Sequence, residues 1–145
     1  MVAAAAVAAA AVLALLPSCG AAHHPVAYSR DGKAVIQDAY DGRLDRNWSC
    51  GSLRAAVLRL PSDSGAGQTI PLMIDEAAGR ACDEALADVH PGSTMPRVRK
   101  LLGTPDRSPR CWLYRWPPQP SSAVDGVRLC FSGDLVSRVQ VAVHG

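Results

Sequence analysis

The chain has 145 residues, 48% hydrophobic and 19% charged, and its 15 Lys and Arg face 13 Asp and Glu for a formal charge of +2. That length and apolar content suit one folded unit plus a leader and exclude two well-filled cores. Charges of both signs are interspersed, which excludes the basic footprint of a nucleic-acid-binding domain and predicts no nucleic-acid partner.

Residues 1–18, "MVAAAAVAAAAVLALLPS", contain no charged side chain. The apolar run is shorter than the ~20 residues that span a bilayer, so it reads as a removable export signal, with no Lys or Arg at its start. Leu16-Pro17-Ser18-Cys19-Gly20 resembles a bacterial lipobox. The resemblance implies that Cys19 becomes the new N-terminus, carries lipid and tethers the protein to the outer face of the cell membrane. Plain secretion is the alternative.

Residues 19–43 mix Gly, Pro, Ser and scattered charges without a sustained period and read as a tether or irregular arm, with Val35-Ile36 as a short edge strand. A single α+β domain is expected over 44–145. It begins with "SCGSLRAAVLRL" (49–60), where Cys50, Leu53, Val57 and Leu60 form one helical stripe beside Ala56. Ser49 or Ser52 caps its start and Pro61 stops it.

After the polar link "SDSGAGQ", a second helix is predicted over 72–89, with apolar or small residues at 74, 78, 81, 82, 85, 86 and 89. Asp75 and Glu76 are expected in its first turns, where carboxylates favour the helix terminus. A short helix follows: Thr94 is the N-cap, Pro96 suits the first turn, and Val98, Leu101 and Leu102 face inward while Arg97, Arg99 and Lys100 stay wet. Gly103 supplies a left-handed C′ residue and Pro105 ends the helix.

The last third changes period. "CWLYRW" (111–116) and "VRLCF" (127–131) alternate as strands, joined by the Pro-rich loop "PPQPSSAVDG". "VSRVQVAVH" adds a third strand, and setting Val139 against Leu129 calls for an odd-length loop with a bulge at Gly133. The expected architecture is therefore two to three helices packed on a three-stranded antiparallel C-terminal sheet.

Setting Cys19 aside leaves Cys50, Cys82, Cys111 and Cys130, an even number in an exported chain, with three possible connectivities. Zinc is disfavoured because no C-x-x-C or H-x-x-x-H spacing occurs, and no metal or other cofactor is expected. The two helices carry Cys50 and Cys82 on their apolar faces, so a bridge between them is the economical pairing. Setting Cys111 opposite Cys130 also sets Trp112 opposite Leu129 and Tyr114 opposite Val127, which places the aromatics on one face and the cysteines on the other.

Gly92-x-Thr94-x-x-x-Val98-x-x-x-Leu102-Gly103-x-Pro105, followed by Trp112-x-Tyr114 and "VRLCFSGDLVSRVQV", resembles the SmpA/OmlA (BamE-like) lipoprotein family over about residues 74–143. That resemblance implies two helices on a three-stranded antiparallel sheet behind a lipid anchor. It also implies a non-enzymatic role in binding another protein of the cell envelope. The helix at 49–60 and the four paired cysteines lie outside the family pattern.

Trp48, Trp116, Arg97, Arg99 and Lys100 are the candidate protein contacts, with the "PPQP" loop beside them, because aromatic and preordered groups lose little entropy on binding. A secreted enzyme inhibitor is the alternative function, since beta-lactamase inhibitory proteins resemble the same helix-and-sheet unit in tandem. No nucleophile motif or paired-acid motif stands out, and the four histidines lie in the arm, at a helix end and at the C-terminus, so no catalytic residue is predicted.

Overall fold

The computed structural model describes residues 24–60, 69–115 and 124–143. Cys19, Trp116, the "PPQP" loop and the export signal lie outside the described residues. In chain order the elements are α1 (Lys33–Asp38), a 3-10 turn (Ala39–Asp41), α2 (Cys50–Val57), α3 (Thr69–Ala87), α4 (Met95–Leu102), β1 (Cys111–Arg115), β2 (Val124–Ser132) and β3 (Leu135–Val143). The α+β arrangement is as expected, with four helices among the described residues.

The sheet is an antiparallel meander in the order β1-β2-β3. Its register places Cys111 opposite Cys130, Trp112 opposite Leu129, Tyr114 opposite Val127, and Leu129 opposite Val139. Trp112, Tyr114, Val127 and Leu129 are all buried, and the Trp112 and Phe131 rings pack at 4.6 Å between centroids. The expected bulge exists but sits elsewhere. Gly133 and Asp134 make a two-residue turn between the paired Ser132 and Leu135, and the β2–β3 register shifts at two places, between Val124 and Gly126 and between Cys130 and Phe131, where Ser137 is the extra residue.

Two hydrophobic clusters share α3. Its C-terminal half, with Cys82, Ala85 and Leu86, joins α4 and the sheet; its N-terminal half, with Ile74 and Ala78, packs under α1 and α2. The Cys50–Cys82 bridge ties α2 to α3, while Cys111–Cys130 staples the opposite face of the sheet. Both bridges are those the sequence favours.

The arm is the main correction. Residues 33–41 are helical, not irregular: Val35 and Ile36 lie in α1 instead of on an edge strand, and Val35 and Ala39 are fully buried. Ala27 bonds to both sides of Trp48, through Asn47 O and Ser49 N, so the segment docks where the tether was expected. Gly32, at φ 73°, makes this possible: a Cβ there would lie 2.2 Å from the backbone nitrogen of Ala56. Only glycine permits α1 to approach α2 so closely.

Helix α3 also starts earlier than expected, at Thr69, because Pro71 is tolerated within a first turn. Asp75 and Glu76 consequently fall beyond that turn, where the terminal dipole no longer favours them. Glu76 forms an i,i+4 ion pair with Arg80 instead.

Candidate interaction surface

The N-terminus of α2 and the C-terminus of α4 meet at two glycines. A Cβ on Gly51 would stand 2.6 Å from the Gly103 Cα, so these helix ends are in backbone contact. Gly103 has the expected positive φ (80°), but its ψ of −154° is far from the left-handed helical cap. It therefore does not supply the αL cap anticipated for α4.

Arg54 supplies the missing cap from another helix. Its side chain, 6% exposed, donates to Leu102 O at 2.7 Å and Thr104 O at 3.1 Å, and pairs with Asp106 Oδ2 at 3.0 Å. The guanidinium also lies 4.8 Å from the Tyr114 ring centroid, and the Tyr114 hydroxyl donates to Gly103 O at 3.1 Å. Three successive carbonyls at the end of α4 are thus satisfied by side chains. Burial lowers the Arg54 pKa from its ordinary value, opposed by the charge of Asp106. Burial likewise pushes the Tyr114 phenol far above its ordinary range, so it acts as a neutral donor.

This seam forms the floor of an open groove of about 1020 Å³ between the arm, α2 and α4. Tyr28, Arg30 and Asp31 line it from the arm, Leu58 and Arg59 from the end of α2, and Arg99 and Lys100 from α4. Leu58 is 80% exposed and Tyr28 56% exposed, so each presents apolar surface to solvent. Lys100 Nζ sits 6.0 Å from the Tyr28 ring centroid, and Arg59 reaches Asp31 at 3.7 Å. The Lys33 N–H donated to Asp31 holds that carboxyl below its ordinary value despite an opposing desolvation effect, with the charge of Arg59 helping.

Of the proposed contacts, Arg99 and Lys100 line the groove, with Arg99 also 4.9 Å from the Trp112 ring centroid. Arg97 is exposed on α4 outside the groove lining, its N–H donated to the Thr94 cap. Trp48 is corrected: it is 4% exposed and its Nε1 donates to Asp38 Oδ2 at 2.7 Å, so its indole is a core group with no contact surface to offer. Trp116 lies outside the described residues.

Sequence reasoning missed Arg54, Tyr28 and Arg30. Arg54 looks like one more wet-face cation because its partner, Asp106, is 52 residues away. Tyr28 and Arg30 sit in the stretch that lacks periodicity. Among the described residues no group of three or more His, Cys, Asp or Glu is placed to hold a metal, and no helix is long and apolar enough to cross a membrane. The chain matches no family model, no curated protein and no solved structure.

Proposed function

We infer that the protein is a non-enzymatic binding module of the cell envelope, exported and held at the membrane by a lipid on Cys19. The observation that carries this reading is the pairing of all four downstream cysteines, Cys50 with Cys82 and Cys111 with Cys130. Such bridges persist in oxidising compartments outside the cytoplasm, and their pairing leaves Cys19 as the odd cysteine, within the lipobox-like segment. The order helix, helix and three antiparallel strands over 69–143 agrees with what resemblance to SmpA/OmlA lipoproteins implies, and supports the same role. The groove between the arm, α2 and α4 is the surface best suited to engage a partner.

The test combines lipid labelling with membrane partitioning. The wild-type protein is expected to label with palmitate and sediment with membranes, whereas Cys19→Ala abolishes labelling and shifts the protein to the soluble fraction. An unlabelled protein that is equally soluble with or without Cys19 would instead support a secreted protein, such as an enzyme inhibitor. Cross-linking of the wild type in envelope fractions then asks whether it has a protein neighbour.

A further inference from the structure

We propose that the groove between the arm, α2 and α4 binds an extended acidic peptide segment of a partner protein, with apolar side chains interspersed among its carboxylates. This deepens the binding-module reading and rests on it. Five cations line the groove, Arg30, Arg54, Arg59, Arg99 and Lys100, against one carboxylate, Asp31. Arg54 is neutralised by Asp106 and Arg59 by Asp31. Among the described residues, Arg30, Arg99 and Lys100 have no carboxylate within ion-pair distance. The whole chain carries only +2, so the positive charge is concentrated here.

The geometry narrows the anion. At about 1020 Å³ and open to solvent, the groove is larger than one inorganic anion needs and reaches the upper size of single small-molecule sites. Cations line the groove from two separate segments, Arg30 from the arm and Lys100 from α4, together with the small residues Gly51, Ser52 and Gly103. A chain laid in the groove therefore meets positive charge contributed by both the arm and α4. A flat bilayer surface does not enter such a concavity. Leu58 and Tyr28 add exposed apolar surface, which matches aromatic or aliphatic side chains between the acidic ones.

The test is fluorescence anisotropy of the purified protein with a fluorescein-labelled peptide of alternating Glu and Phe. A Gln-and-Phe peptide, a Glu-and-Gly peptide and phosphatidylglycerol vesicles are measured beside it. The Glu-and-Phe peptide is expected to bind saturably and to weaken with added salt, the Glu-and-Gly peptide to bind less tightly, and the Gln-and-Phe peptide not to bind. Combining Arg30→Glu with Lys100→Glu should weaken binding by about tenfold or more, and Gln at both positions by less. Arg128→Glu, on the outer face of the sheet, should leave binding unchanged, and thermal melts check that each variant folds.

Equal binding of the Gln peptide, or affinity indifferent to the charge reversal, would overturn the proposal. So would vesicle binding that depends on Arg30 and Lys100 while the peptide fails to bind. An envelope neighbour captured equally by wild type and the charge-reversed variant sinks the groove and leaves the binding-module reading standing. Peptide binding that needs both cations, with no neighbour captured, does the reverse.

Discussion

Around the sheet, Trp112, Tyr114, Val127 and Leu129 are buried because they alternate along paired strands, and their pattern is visible in the sequence before any folding is considered. Around α2 the core closes with Val35, Ala39 and Trp48, which come from two short segments with no shared period. The sheet cluster is ordered by strand register, in which one correct pairing sets all the others. The helical cluster is ordered by single close approaches: Gly32 against Ala56, Ala27 against the backbone flanking Trp48, and Trp48 Nε1 on Asp38. A periodic core is robust and legible; a core assembled from individual contacts depends on each of them.

The largest expected effect comes from cutting the seam between the two clusters. Arg54→Met removes the cap of α4 and leaves Asp106 without its cation, and should cost about 4 kcal/mol in urea denaturation. Arg54→Lys should recover only part of this, because an ammonium cannot reproduce the planar fork that spans two carbonyls and a carboxylate.

The disulfides sharpen the same contrast. Replacing Cys50 and Cys82 by Ala opens a connection across 32 residues and should cost about 3.7 kcal/mol on chain-entropy grounds. Removing Cys111 and Cys130, 19 residues apart, should cost about 3.3 kcal/mol. The separation of effects is more diagnostic than their size. Loss of Cys50–Cys82 should loosen α2 against α3 and broaden the unfolding transition, whereas loss of Cys111–Cys130 should leave it sharp, since the strand ladder remains.

Gly32→Ala introduces both a disfavoured positive φ and a methyl overlapping the α2 backbone, for about 3 kcal/mol. Hydrogen exchange should speed up across 27–57 while the sheet amides stay protected; uniform acceleration would show that the two clusters unfold as one unit.

The smallest effect tests α3, which both clusters share. Asp75 Oδ1 is buried without a hydrogen-bond partner among the described residues, and burial raises the carboxyl above its ordinary value. The charged form therefore lowers stability above the folded-state pKa, and this cost disappears as pH falls below the unfolded value near 3.8. Asp75→Asn should raise the melting temperature slightly at neutral pH and match wild type in acid.

Much of the groove was hidden in the sequence for the same reason as the helical cluster. Arg99 and Lys100 could be found because a capped helix with a clear apolar face leaves them on its wet side. Arg30 and Tyr28 could not, since nothing local indicates that their segment docks beside α4. Trp48 was misplaced because an isolated indole looks the same in sequence whether it fills a core or waits for a partner. Its burial depends on Asp38 and α1, ten or more residues away along a chain without a repeating pattern.

By itself, the amino-acid order determined α2, α3 and α4 to within a few residues, the three strands, their register and the disulfide pairing it made economical. Each follows from periodicity, capping or side-chain alternation over a short span. Only the tertiary structure decided that residues 33–41 of the arm are helical, that Trp48 is internal, and that Arg54 closes α4 from a different helix. Those outcomes depend on the backbone proximity that Gly32, Gly51 and Gly103 allow, and close approach between distant segments leaves no local signature in a sequence.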